Sequence, residues 1–375
     1  MGRITTLDEF EKCYREGLGE PLAPRPWREV TLDWLQRHGD GSGDYNPLFR
    51  VPEYAARGPH RTLVGSPSFV FSIAFGANAS IWGHIPPGDV AMSDLSILYQ
   101  GADIIWHRPV FLGDRVRAIE TPVGIERGSS RQLGETVLCS GRTDYFDHRG
   151  ELLASMTNRM LRFVNPGRGV ESAAAIDDRP RIAPDPLVWQ RTRRGAEPRY
   201  GEDVRAGEEL PELPKGTYTM TELYLFSHGT LSTSRSKAVS EGTIDMGAGG
   251  RADAEYARRS RSQAASFDYG PQRITWLAQV VADWMGDHGR LLSLSARLRR
   301  PNLVGDTNTV VGTVVGDPVP DGDGFRVEVR AAVVNHEGTE TAVATAVVRL
   351  PARGSIDENP ALFAADAEVP DSPYA

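Results

Sequence analysis

Arg108-Pro109-Val110-Phe111-Leu112-Gly113-Asp114 returns later in the chain as Arg300-Pro301-Asn302-Leu303-Val304-Gly305-Asp306. Upstream of the two copies, Pro52-Glu53-Tyr54-Ala55-Ala56-Arg57 is answered by Ala254-Glu255-Tyr256-Ala257-Arg258-Arg259. Downstream, Asp147-His148-Arg149-Gly150 is answered by Asn335-His336-Glu337-Gly338. Three pairs in one order imply two copies of a single fold, expected to pack as a pseudo-dimer with any site between the halves.

Each copy reads as a helix followed by strands. In the second half Ile274, Leu277, Val280, Val281, Trp284 and Met285 fall at helical spacing behind Gly270-Pro271, which predicts a buried helix with one heavily apolar face. Leu292, Leu294, Ala296 and Leu298 then alternate with polar residues, as do Phe325, Val327, Val329, Ala331 and Val333 after the turn Asp321-Gly322-Asp323-Gly324. The first half predicts a helix from Pro67 to Ala79, with strands near Leu95 to Ile105, Asp114 to Glu120, Gly134 to Asp144 and Leu152 to Val164. A long buried helix against antiparallel strands is an α+β layer architecture. A sheet wrapped around a central helix is a hotdog, so the expectation is a double hotdog. Its halves are expected at 1–165 and 200–351, with a Pro- and Arg-rich connector at 166–199 and an acidic tail at 352–375. A doubly wound fold would need alternating strands and helices with a glycine fingerprint after the first strand, and neither is present.

Composition narrows the function. The 375 residues carry a net charge of −8, which argues against a nucleic-acid surface. The densest basic cluster, Arg258, Arg259 and Arg261, reads as a solvated face or an anion contact. Cys13 and Cys139 have no Cys or His at metal-ligand spacing, so neither a disulfide framework nor structural zinc is expected. No stretch has the length of a signal-peptide core or membrane span, and the reading is a cytoplasmic protein.

The segment Gly43-Asp44-Tyr45-Asn46-Pro47-Leu48-Phe49-Arg50-Val51-Pro52-Glu53-Tyr54-Ala55 resembles the motif of the MaoC-like family of type 2 enoyl-CoA hydratases and dehydratases, which reads Asp-x-Asn-Pro-x-His-x-Asp-Pro. Leu63-Val64-Gly65-Ser66-Pro67 stands where that family begins its hotdog helix, and both Arg-Pro-x-x-x-Gly-Asp segments are typical of its strands. The stretch Phe267 to Leu277 looks like a double-hotdog branch whose first half resembles fatty-acid-synthase-type dehydratases. The resemblance implies a carboxylate and an imidazole that hold a water, which adds to an enoyl thioester or leaves a 3-hydroxyacyl thioester. It also implies backbone N–H groups at the helix starts, with Gly65 and Gly270 as candidates, facing charge on the thioester oxygen. A plain turn glycine would look the same.

Carried over by position, Asp44 and Asn46 match the family's Asp and Asn, whereas Phe49 replaces its His and Val51 its second Asp. Alignment of Glu255-Tyr256-Ala257 on Glu53-Tyr54-Ala55 puts Arg251 at the His position and Asp253 at the second Asp. An Arg stays protonated and cannot act as a base. Asp44 is therefore the expected base unless it only caps the helix at Pro47, with His228, Asp268 or Tyr269 as proton donor. His228 has an alternative use near a helix C-terminus, and Asp268-Tyr269 could simply fix a helix start. Trp82, Trp106, Trp276 and Trp284 read as core or groove wall.

The leading expectation is a hydro-lyase for an acyl-CoA or acyl-carrier-protein thioester. The rivals are a hotdog thioesterase directed by Asp44 or Asp268, and an acyl-binding partner subunit that has lost the chemistry, which Phe49, Val51 and Arg251 favour. No metal or redox cofactor is implied, and a homodimer is expected by analogy.

Overall fold

The computed structural model describes residues 2–91, 94–164, 180–183, 193–231, 253–254, 257–258 and 263–356. Most of the expected connector, the tail beyond 356 and Arg251 lie outside the described residues. Eleven strands form one antiparallel sheet: β1 (Arg28–Glu29), β2 (Leu95–Trp106), β3 (Arg115–Ser130), β4 (Gly134–Asp147), β5 (Leu152–Val164), β6 (Leu213–Thr217), β7 (Arg290–Leu298), β8 (Thr307–Val314), β9 (Val319–Asp321), β10 (Gly324–Asn335) and β11 (Glu340–Pro351). Their order is β1-β3-β4-β5-β2-β7-β11-β10-β8-β6, with β9 as a short hairpin arm on β10. With β1, β3, β4, β5 and β2 matched to β6, β8, β10, β11 and β7, the order is palindromic, as a two-fold axis between β2 and β7 requires.

The register locates that axis. Arg300 and Arg108 differ by 300 − 108 = 192, and the same offset takes Asp103 to Ser295. Asp103 and Ser295 are partners across β2 and β7, so each residue pairs with its own repeat counterpart. The Ser295 hydroxyl donates to Asp103 at 2.5 Å, and Arg297 and Arg159 bind the same carboxylate. A second self-contact lies between the helices Leu32–Ser42 and Met220–Leu225, the latter extended by a π-helical turn at Phe226–Thr230. Val30 N–H donates to Asp114 O as Tyr218 N–H does to Asp306 O, which sets a local offset of 218 − 30 = 188. That offset takes Gly41 to Gly229, and a Cβ on Gly229 would stand 2.8 Å from Gly41 Cα. Glycine is needed there because the two backbones touch.

The repeated motifs are braces at the strand ends. Asp114 accepts from Phe111 N–H at 2.9 Å and pairs with Arg108, which also binds Asp147 at 2.8 Å. Asp147 in turn holds its own turn through the N–H groups of Arg149 and Glu151. In the second copy Asp306 accepts from Leu303 N–H, and Asn335 accepts from Glu337 and Thr339 N–H.

Three expectations need correction. The first-half helix does not run unbroken from Pro67 to Ala79. A 3-10 turn at Pro67–Phe69 leads into a helix at Val70–Ile73, and a second helix begins at Ala77. Between them the freed carbonyls of Ala74 and Phe75 are taken by Tyr145 OH and Asn158 Nδ2, and Gly76 has φ 71°. Buried partners from the sheet thus compete with the helical ladder and win. Strand β3 runs ten residues beyond Glu120, to Ser130, because the β3–β4 hairpin continues in register. In β7 it is Leu291 rather than Leu292 that is buried, since a bulge opposite Val347/Val348 shifts the alternation by one.

The long helix Gly270–Met285 is buried as expected, polar residues included. Its polar residues are matched by buried partners. Tyr218 OH donates to Gln272 at 2.8 Å, Lys215 donates to Gln279 at 2.5 Å, and Gln279 reaches across to Gly43 O at 3.3 Å in the first half. Such pairing is what makes burial of these groups tolerable.

Candidate active site

A cleft of about 780 Å3, counted to its open mouth, runs between the halves. The first half supplies Asn46, Leu48, Phe49, Gly65, Ser66, Val70, Trp106, Val110, Leu153 and Ala154, and the second supplies Ala282, Met285, Asp287 and Leu291. Partly exposed His60 and exposed Arg290 mark the mouth, while buried Asn46, Phe49 and Ser66 mark the inner end. The walls between are largely apolar. Trp106 is a wall residue, its indole N–H held by Pro67 O, whereas Trp82, Trp276 and Trp284 belong to the cores.

At the inner end the loop Gly43–Asn46 is fixed by its own side chains. Asn46 caps the helix Pro47–Arg50, its Oδ1 accepting from Leu48 N–H at 3.0 Å, and Asp44 Oδ1 accepts from Asn46 N–H at 3.2 Å. The amide Nδ2 of Asn46 is the end not used by the cap. Asp44 is 3% exposed and lies beneath Phe49, in a closed space shared with His38 and Ser66. Burial raises its pKa, against the Asn46 N–H and the charges of Lys215 and Arg50. Lys215 comes from the other half on β6, and burial pushes it down to about 8 despite Asp44, Asp283 and Glu222.

Beside Asp44 lies a polar knot that sequence reasoning missed. His38 Nε2 is 3.0 Å from both Ser66 Oγ and Ser68 Oγ, the two hydroxyls are 3.1 Å apart, and His38 Nδ1 is 2.9 Å from Ser72 Oγ. Ser72 donates its one hydroxyl proton to the carbonyl of Thr230. It must then accept from His38, which places the imidazole proton on Nδ1 and leaves the Nε2 lone pair facing the serines. Burial holds the ring neutral, pushed down to about 3. Of the knot, Ser66 also lines the cleft.

The expected residues fall into separate groups. Asn46 and Gly65 line the inner end of the cleft, and Asp44 borders the separate small space beside His38. Gly65 N–H, however, donates to Val110 O, so it is not a donor for a substrate oxygen; its missing Cβ leaves room for the Phe69 ring. Gly270 is a packing glycine, since a Cβ there would lie 2.3 Å from the Tyr99 ring and 2.4 Å from Leu298. Asp268 is buried in an ion pair with Arg273 at 2.8 Å and accepts from Asn302 N–H, which fastens the start of the long helix rather than the cleft. Tyr269 OH lies 3.3 Å from Ser227 Oγ, also away from the cleft. His228 is exposed and bonded to Tyr224 O one turn back, because the π-helical turn rotates it outward. Asp253 is exposed, and Arg251 lies outside the described residues.

Comparison with known proteins agrees with this fold. Residues 19–156 match the family model of the FAS1-like dehydratase domain region. A protein of Thermomonospora curvata described as a probable enoyl-CoA hydratase alpha subunit is 24% identical over 196 residues, covering 48% of this chain and 61% of that one. The chain thus spans less than two thirds of that relative. A solved structure described as a MaoC-like dehydratase superposes with a TM-score of 0.68 at 17% identity, covering 90% of this chain and 99% of that one. A Mycobacterium tuberculosis protein described as having a double hotdog fold gives 0.58 at 14% identity, covering 90% and 97%. The chain has a double hotdog fold like that of these structures, and its residues 19–156 are similar to the FAS1-like dehydratase domain region.

Proposed function

We propose that the cleft binds an acyl thioester, carried by CoA or by an acyl-carrier protein in the cytoplasm, and adds water to an enoyl group or removes it from a 3-hydroxyacyl group. The observation that carries this reading is the meeting of Asn46 and Ser66 at the inner end of an apolar cleft built by both halves. The apolar walls suit the acyl chain, and the cationic mouth at Arg290 suits a phosphorylated carrier arm. The reaction needs a donor to the developing negative oxygen and a route for one proton. Asn46 has its amide N–H groups for the first role, because its carbonyl is committed to Leu48. Asp44, whose pKa burial raises, is the acid–base group of the same loop.

A second reading has an observation of its own. Phe49 fills the family's imidazole position and shuts Asp44 away from the cleft, as an acyl-binding partner subunit without chemistry would have it. Mass spectrometry of enoyl- and 3-hydroxyacyl-CoA thioesters incubated with the wild type and with Asp44→Asn separates the two. Gain or loss of one water by the wild type, reduced in a variant that keeps an oxygen for Asn46 N–H, supports the enzyme. Saturable binding with unchanged mass supports the binding subunit, and release of free thiol supports a thioesterase.

A further inference from the structure

We infer that Ser66, backed by His38, is the group that handles the reacting proton in the cleft, in place of the imidazole that Phe49 displaces. This rests on the hydratase reading and names the part of the site which that reading leaves unfilled. Three observations carry it. Ser66 lines the cleft, and its Oγ lies 3.0 Å from the imidazole Nε2. The chain Nδ1–H to Ser72, then Ser72 to Thr230 O, fixes the tautomer so that Nε2 accepts. The knot belongs to one half only. Gly65 N–H bonds to Val110 O as Asp268 N–H bonds to Asn302 O, which makes Ser66 the counterpart of Tyr269, and the 188 offset makes His38 the counterpart of Phe226. In the second half an aromatic pair with ring centroids 6.1 Å apart therefore stands where the first half holds imidazole and hydroxyl. A purely structural need of the fold is met by that aromatic pair, so the imidazole–hydroxyl version has another use.

The step balances without a further reactant. In hydration, water forms its bond to C3 of the enoyl thioester while giving one proton to Ser66 Oγ, and Ser66 releases its own proton toward C2 in the same step. The C2–C3 π pair moves toward the thioester oxygen. The proton from Ser66 completes the C2–H bond while His38 stays neutral and orients the hydroxyl, and the net change is one added water. Dehydration is the reverse. Ser66 is the catalytic residue and His38 its positioning residue.

The test is steady-state hydration of crotonyl-CoA by the full chain as wild type, Ser66→Ala, His38→Gln, the double variant and Tyr269→Phe, each checked for an unchanged melting transition. The expected result is a loss of about 100-fold or more in kcat for each single variant with KM within about threefold. The double variant loses no more than either single one, because the two act as a unit. Tyr269→Phe, at the mirror position, stays within about threefold. A folded Ser66→Ala that keeps wild-type kcat overturns the inference while leaving the hydratase reading intact. Multiplying losses in the double variant also overturn it, since independent structural damage adds in free energy. A wild type that binds crotonyl-CoA without turnover removes both, and the wild-type rate alone identifies that case.

Discussion

His38 Nε2 faces Ser66 Oγ at 3.0 Å, and the residues that occupy the equivalent places in the second half, Phe226 and Tyr269, face each other as rings. The two copies thus share a backbone plan and differ in what they hold at the helix start. One half keeps a polar site next to the Asp44 loop. The other contributes the long helix, whose Ala282 and Met285 form the opposite wall of the cleft.

The two-fold contact at Gly41 and Gly229 gives the first prediction. A Cβ on Gly41 would stand 2.7 Å from Leu225 O and 2.8 Å from Thr230 N, which are backbone atoms that cannot step aside alone. Gly41→Ala is expected to cost roughly 1–3 kcal/mol in urea unfolding. Gly88→Ala, with nothing within 4 Å, should stay within about 0.5 kcal/mol. Equal effects at the two sites would contradict the backbone contact.

The strand-end brace predicts acid sensitivity. Burial alone would raise Asp147, but the N–H groups of Glu151 and Arg149 and the Arg108 guanidinium hold it down at about 2. A carboxylate depressed in the folded state contributes stability that is fully present above its ordinary value near 4 and lost as pH falls toward about 2. Asp147→Asn should therefore lower Tm at pH 7 and flatten the fall of Tm between about pH 4 and pH 2. An unchanged slope in that window would show that Asp147 is not held by these partners.

Lys215 predicts the opposite limb. Its folded pKa, pushed down to about 8 by burial, lies below the ordinary value near 10.4. Between the two the unfolded chain binds more protons, so this group makes stability rise with pH from about 8 to about 10. The difference in unfolding free energy between wild type and Lys215→Met should change in that direction across that range. A pH-independent difference would place the ammonium in water.

The cleft walls predict a change in substrate handling. Ala282 from the long helix and Ala154 from β5 both line the cleft, one from each half. Ala282→Leu fills part of it and is expected to raise KM for enoyl-CoA at least about 10-fold, with the larger effect on longer acyl chains. Unchanged KM across chain lengths would put the acyl group elsewhere.

Much of the fold was legible because its signals are local or repeated. The Arg-Pro-x-x-x-Gly-Asp pair marks the same brace twice, and alternation gave the strands on either side. The break at Gly76 was not legible, since it depends on Tyr145 and Asn158 reaching from strands about 70 to 80 residues away. The site was legible only as far as its motif. Asp44 and Asn46 stand in a contiguous match, but His38 and Ser66 lie 28 residues apart with no shared signature. A signal did exist. Aligning the halves on the N-cap residues Thr31 and Thr219, which also matches Leu35 with Leu223 and Gly41 with Gly229, sets His38 against Phe226. His228 was misleading for the converse reason: an ionisable residue near a helix end draws attention, while the turn that points it to solvent is invisible in sequence.

The most direct measurement is proton NMR of crotonyl-CoA incubated with the wild-type chain in D2O. The account predicts loss of the vinyl signals, a new hydroxyl-bearing C3 and one deuterium at C2. Vinyl signals that persist while the thioester demonstrably binds, or the appearance of free CoA thiol with the acyl group released, would contradict it.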